Sequence, residues 1–299
     1  MPLYEKCTMK VGVVTVLYGD DSVLEDFYLS MSLQEGINLT VYVVDNNAKL
    51  DSLNKAIFLS EKFKVASIFI HNGKNLGVAA GNNIGIKAAI EDSCDYIVLS
   101  NNDIFISRDI INNLLHKNKD RDVIVPKIYI WNTNNVIWYA GGGINEWLGK
   151  SIHYSENLID DYKIKKSSYV GYAPTCFMII KPSVFKIIGL MDERFFVYYD
   201  DTDFAYRLKK ENIKITYSPE EHLYHKVSIS TGGSESCFTI YYSNRNRIYF
   251  IKKNIGLDKK YISILYFIMT RFYYLIKYKG EKRRALLSGI FDGFKLNAY

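Results

Sequence analysis

Cysteine is scarce in this 299-residue sequence. The four residues, Cys7, Cys94, Cys176 and Cys237, lie far apart and form no Cys-x-x-Cys pair. That excludes a disulfide framework and a thiolate zinc site, and it suits a reducing compartment. The first nine residues hold no apolar core of useful length, so no secretory leader is expected and the chain reads as cytoplasmic. Internal repeats and low-complexity linkers are missing. Residues 75–85 are glycine-rich but lack the Gly-x-Gly-x-x-Gly spacing of a dinucleotide fingerprint. Net positive charge is missing from the body of the chain. The total is +6, but residues 251–299 hold 11 Lys/Arg against 3 Asp/Glu, a local +8, which leaves −2 for residues 1–250. A nucleic-acid footprint is therefore not expected.

The sequence does contain the means to build a large core, with 48% hydrophobic and 23% charged residues. Short β-branched apolar runs at 11–17, 39–44, 65–70 and 96–100 read as buried strands. Helical periodicity covers 20–35, 51–62 and 77–90. This alternation predicts an α/β fold: a Rossmann-like, mainly parallel mixed sheet with helices on both faces. The middle is less regular, with a Gly-rich stretch at 139–143, a strand at 173–180, and a helix passing into a strand over 209–217 ahead of Pro219. After about residue 235 the pattern turns helical and basic.

In such sheets, ligands bind at the carboxyl ends of the strands. Polar clusters follow three of them: Tyr18-Gly19-Asp20, Asp45-Asn46-Asn47 and Asn101-Asn102-Asp103. Asn and Asp are good turn formers, so the signal is their recurrence. A nucleoside diphosphate usually needs Mg²⁺ or Mn²⁺ held by a carboxylate or two, phosphate and water. Asp103 can supply such a ligand, and Asn101 and Asn102 can hydrogen-bond ribose or phosphate. Asn75, just ahead of the 77–90 helix, is placed for phosphate or ribose contact beside Gly77, while Gly81 and Gly85 read as packing residues. A second constellation sets Asp200, Asp201 and Asp203 directly after the aromatic run 195–199. Carboxylates flanked by apolar surface are costly unless paired or cation-bound, and a desolvated one suits a general base. A helix N-terminus also welcomes acids, and both readings can hold together. His225, after the 209–217 segment, can complete a metal site.

Taken in order, these segments resemble the family 2 glycosyltransferases of the GT-A fold. They are Val43-Val44-Asp45-Asn46, Asn75-Leu76-Gly77 with Gly81-Asn82-Asn83-Ile84-Gly85, Leu99-Ser100-Asn101-Asn102-Asp103, Gly189 to Phe196, Tyr199 to Phe204, Arg207-Leu208 and His225. They are most similar to the bacterial rhamnosyl- and galactofuranosyltransferase-like branch. The resemblance covers roughly residues 10–250. It implies a metal at Asp103, a second ligand in His225, and the acidic pair Asp200-Asp201 as catalytic carboxylates, with Asp201 as base. It further implies a nucleobase or ribose contact at Asp45 and a base pocket lined by Thr15, Leu17 and Tyr18. Two departures stand out: Asn101 replaces the first acid of the DxD-type motif, and Asp200 replaces the usual Glu. The implied activity is transfer of a sugar, rhamnose from dTDP-rhamnose first or galactofuranose from UDP-galactofuranose second. The implied acceptor is a glycan linked to polyprenyl diphosphate, in cell-surface polysaccharide synthesis. A sugar nucleotidyltransferase, or a non-catalytic glycan-binding protein with a decayed site, is the alternative. Against the first, the loop after the first strand, residues 17–22, is acidic where a basic Gly-rich loop would be needed.

The expected division is a catalytic domain over 1–250, with a nucleotide half near 1–125 and an acceptor half near 126–250, and a basic helical region over 251–299. Residues 261–276 are apolar apart from Arg271, fall short of the ~20 residues of a spanning helix, and are flanked by lysines and arginines. Residues 255–285 thus read as an interfacial helix on the inner face of a membrane. The other reading packs this helix on the catalytic domain or on a second subunit, as in a homodimer.

Overall fold

The computed structural model describes residues 8–161, 167–226 and 235–297; Cys7 and the start of the chain lie outside them. The first half alternates as its periodicity predicts: β1 (Lys10–Leu17), α1 (Leu24–Ser32), β2 (Asn38–Asp45), α2 (Asp51–Phe63), β3 (Ser67–His71), α3 (Val78–Glu91) and β4 (Tyr96–Ser100). Then follow β5 (Ile104–Ile106), α4 (Ile110–Lys117), β6 (Val123–Ile130), β7 (Ile137–Tyr139), β8 (Gly142–Asn145), β9 (Lys150–His153), β10 (Ser168–Val170), β11 (Phe177–Ile180) and α5 (Pro182–Ile188). A 3-10 turn over Glu193–Phe195 leads into α6 (Asp200–Lys210), β12 (Ile215–His225), α7 (Cys237–Asn254), α8 (Leu257–Lys277) and α9 (Gly280–Lys295).

The main sheet runs in the order β10-β12-β6-β11-β4-β1-β2-β3. Strands β3, β2, β1 and β4 are parallel throughout. The second half is mixed, because β11 runs antiparallel to both β4 and β6 while β12 runs parallel to β6. Two reversals through β11 return β6 and β12 to the direction of β4. The carboxyl ends of β1, β2, β4 and β12 therefore share one edge of the sheet.

Helix α3 lies unusually close to β1. A Cβ on Gly81 would stand 2.8 Å from Val16, and one on Gly85 only 2.4 Å from Val14. These glycines are packing residues; Val14 beneath Gly85 joins a continuous core, and Val16 beneath Gly81 is half-buried at its edge. Burying such side chains stabilises the fold by about 1.5–3 kcal/mol each.

Several boundaries differ from expectation. Helix α1 starts at Leu24 because the Asp20 carboxylate accepts from the Ser22 amide and hydroxyl, which forms a turn first. Pro219 does not end its strand. It sits at an irregularity between Ser218 and His222 opposite β6, and β12 resumes beyond it to His225. The segment expected as a strand from 173 begins its ladder only at Phe177. The expected boundary at residue 250 falls inside α7.

Candidate functional site

The strand ends open onto a cleft of about 360 Å³. Its wall holds ten of the thirteen candidate residues: Tyr18, Asn46, Asn75, Gly77, Asn101, Asn102, Asp103, Asp200, Asp201 and His225. Thr15, Leu17 and Asp45 do not line it. Thr15 and Leu17 are buried, and the alternation of β1 turns them from the face that carries Val16 and Tyr18. Val16 is thus the wall residue of this strand, a shift of one position. Asp45 is fully buried. One carboxylate oxygen accepts from the Asn47 amide and side chain, and the other lies 2.8 Å from Nδ1 of His71.

Asp103 and His225 stand 122 residues apart in sequence, and strand pairing joins them. Antiparallel β5–β12 pairing sets His225 opposite Ile104, and the Lys226 amide donates to the Asp103 carbonyl at 2.9 Å. Nε2 of His225 lies 3.1 Å from Oδ1 of Asp103. The Trp138 ring meets the imidazole near-perpendicularly at 4.5 Å between centroids. Nδ1 of His225 is buried and has no hydrogen-bond partner among the described residues. One carboxylate oxygen and one imidazole nitrogen facing each other fit a divalent cation that takes its other ligands from phosphate and water. Among the described residues no third acidic, His or Cys side chain joins them.

The second group rests on a strained turn. Phe196, Tyr198 and Tyr199 all have left-handed φ, at 65°, 63° and 64°, each costing on the order of 1–3 kcal/mol. The surroundings impose this shape. Nδ2 of the buried Asn246, on α7, donates to the carbonyls of Phe195, Val197 and Tyr198 at 2.7, 2.6 and 2.9 Å. The Val78 amide at the start of α3 donates to the Phe196 carbonyl at 2.6 Å. Only glycine fits at 77, where φ is +86° and a Cβ would come within 2.5 Å of that carbonyl.

This turn presents Asp200 and Asp201 at the first turn of α6. Asp201 accepts from the Tyr172 hydroxyl at 2.6 Å on Oδ2, and from the Thr202 amide at 2.6 Å and hydroxyl at 3.1 Å on Oδ1. Burial raises its pKa, and those donors work against the rise. Asp200 has no side-chain donor, only the amides of Asp200 and Asp201. Burial first, then the charge of Asp201, pushes its carboxyl up to about 8. Of the two, Asp200 is therefore the one that burial and its neighbour's charge hold toward the protonated form, while hydrogen bonds from Tyr172 and Thr202 favour the carboxylate of Asp201. Asp203, the third acid of the cluster, is structural. It is held by Arg207 Nε at 2.8 Å, Lys253 Nζ at 2.7 Å and Asn254 Nδ2 at 2.8 Å.

On the nucleotide side, Asn46 donates to the Gly77 carbonyl at 3.0 Å, and the Asn75 carboxamide oxygen accepts from the Gly77 amide at 2.9 Å. Both asparagines thus shape the turn that enters α3 while lining the cleft. Sequence reasoning missed Trp138, Tyr172 and Asn246. No periodicity marks them: β7 is three residues long, Tyr172 stands in a connection, and Asn246 stands in a helical stretch at the end of the expected catalytic domain that carries no motif.

The family model for Glycosyl transferase family 2 matches residues 12–187. The chain belongs to this family. Its curated relatives include the low-salt glycan biosynthesis hexosyltransferase Agl10 of Haloferax volcanii, 28% identical over 66% of this chain and 64% of that protein. They also include the dTDP-rhamnosyl transferase RfbF of Shigella flexneri, 26% identical over 73% of this chain and 72% of that protein. The chain thus spans less than two thirds of the archaeal relative. Among solved structures, the mannosyltransferase PcManGT of Pyrobaculum calidifontis, in complex with GDP-Man and Mn²⁺, superposes with a TM-score of 0.60 at 12% identity. That match covers 97% of this chain and 88% of the other, and it supports the GT-A fold.

Proposed function

We propose that this family 2 chain is an inverting glycosyltransferase that moves a sugar from a nucleotide-sugar donor to a hydroxyl of a glycan acceptor. The observation that carries this reading is a single cleft holding both the Asp103–His225 pair and Asp201, a desolvated carboxylate held by Tyr172 and Thr202. Family membership weighs against the nucleotidyltransferase alternative.

Asp201 takes the proton of the acceptor hydroxyl as that oxygen attacks the anomeric carbon. The attack comes from the face opposite the nucleoside diphosphate, whose bond to that carbon breaks with its electron pair. Tyr172 and Thr202 hold the Asp201 carboxylate in register, and protonated Asp200 spares it a second negative neighbour. Asp103 and His225 would hold the cation, and Asn101 and Asn102 would offer their side chains to ribose or phosphate. A bound cation would neutralise charge building on the departing diphosphate. The imidazole in the pair favours Mn²⁺ over Mg²⁺, which prefers oxygen throughout. Tyr18 serves the nucleobase, and Asp45 acts through His71 and Asn47, which share its carboxylate. The donor of first choice is dTDP-rhamnose, supported by the resemblance and by the name of the Shigella relative; UDP-galactofuranose is second. The acceptor of choice is linked to polyprenyl diphosphate.

Asp201→Asn tests the assignment. The variant is expected to bind donor like the parent in calorimetry, while transfer falls about 10²–10⁴-fold. Near-normal turnover would remove Asp201 from the role of base.

A further inference from the structure

Helix α8 is amphipathic with its polarity reversed. The side packed on the protein carries Ser263, Phe267 and Arg271, and Arg271 donates to Oδ1 of Asn244 at 2.7 Å. The side turned to solvent is the apolar one. Tyr261, Met269, Phe272 and Ile276 are 71%, 66%, 65% and 66% exposed, and Leu265 and Ile268 lie on the same stripe. Their spacing follows the 3.6-residue period, so they form one continuous face along the helix. Helix α9, packed beside α8, exposes Leu287, Phe291 and Phe294 at similar spacing. Exposed apolar surface of this extent calls for a partner.

Charge identifies that partner. Residues 259–280 contain no Asp or Glu. Lys259, paired with Glu146, and Lys260 stand at one end of the stripe beside Asp258, and Lys277, paired with Glu235, clusters with Lys279, Arg283 and Arg284 at the other beside Glu281. A second copy of the chain is a poor occupant. A twofold contact sets the same patch against itself, so two α8 helices packed along their length, parallel or antiparallel, bring a cationic end against a cationic end. An anionic lipid surface accepts both features at once: the apolar stripe enters the acyl boundary and the flanking cations stay among the headgroups. No helix among the described residues is long and apolar enough to cross a membrane, so α8 must lie along the surface.

We infer that α8, with the apolar side of α9, is a docking face for an anionic phospholipid surface. The face ends beside the cleft. Lys277 donates to Glu235 at 2.9 Å, just ahead of the N-terminus of α7, and Phe238 in the first turn of α7 lines the cleft. Docking would therefore hold the cleft close to the headgroup plane. The inference stands on α8 and α9 and does not depend on donor or acceptor.

The test is sedimentation of the full chain with phosphatidylcholine vesicles, with and without phosphatidylglycerol. Binding is expected to the anionic vesicles and to weaken as NaCl is raised. Met269→Asp/Phe272→Asp should lower the partition coefficient about tenfold or more, with an unchanged circular dichroism spectrum because both residues are exposed. Lys279→Glu/Arg284→Glu provides an independent check that leaves the stripe intact, and it should remove the preference for anionic vesicles. Failure of the folded parent to bind, or equal binding by both variants, would overturn the inference. A dimer that Met269→Asp/Phe272→Asp dissociates, in a chain that does not bind vesicles, would assign the face to a second copy instead.

Discussion

Desolvation is what separates the two carboxylates at the start of α6. Both are cleft residues, yet Asp201 has three donors and Asp200 none from a side chain. The expected consequence is a stability signature. The carboxyl of Asp200 titrates near 8 in the folded protein and near 3.8 when exposed. Between those values the folded state binds a proton that the unfolded state has lost, so this residue lowers stability progressively as pH rises through the window. Asp200→Asn cannot ionise and escapes the loss. It should melt above the parent at pH 8, by at least about 2 °C, with the gap closing toward pH 4. A gap independent of pH would mean that Asp200 is not held protonated. The residue pattern marks Asp200, Asp201 and Asp203 as one cluster, and only the family resemblance singles out the first two. The distinction arises from Arg207, Lys253 and Asn254 closing around Asp203, and two of those three stand some fifty residues away in sequence.

Elements were legible where one face of the sheet dictated their period. The buried runs of β1, β2 and β4 and the helices between them follow from apolar patterning alone, and the glycines of α3 read correctly as packing residues. Elements whose form depends on a distant partner were not. Strand β12 passes Pro219 because β6 accommodates an irregularity there, and β7 exists only as a short ladder on β6. The turn at 196–199 is the sharpest case: no local propensity favours three left-handed aromatic residues, and Asn246 on α7 holds them. Helix α7 is therefore part of the site and not merely the start of a tail. Asn246→Ala would leave three carbonyls without that donor, at about 1–3 kcal/mol for each left unsatisfied. Amide exchange across 194–200 should quicken and turnover should fall, while donor affinity changes little. Unchanged exchange in that segment would show that α3 alone suffices to fix the turn.

Across the whole molecule, the cleft is a meeting of distant pieces. Asn83 on α3 holds the backbone of Met191, ahead of the catalytic turn, reciprocally, donating to the Met191 carbonyl and accepting from the Met191 amide, both at 2.9 Å. Helix α9 locks onto α7 through Gly289 and Gly293, where a Cβ would come within 2.5 and 2.7 Å of backbone carbonyls. A ligand that spans Asp103, His225 and the entrance to α3 therefore ties the sheet edge to the rest of the fold, and its binding should register as global stability. At a hundredfold excess over its dissociation constant a ligand adds about 2.7 kcal/mol, which for a chain of this size is a rise of several degrees in Tm. Melting should be followed with dTDP or UDP alone and again with Mn²⁺. The parent chain should gain a first increment from the nucleotide and a second from the cation. His225→Ala should keep the first and lose most of the second, since Asp103 alone holds a cation weakly. Asn101→Asp should enlarge the second by restoring a carboxylate to the loop that follows β4. If His225→Ala retains the full cation increment, the ion is held by other groups, and the contact between Asp103 and His225 is a structural hydrogen bond.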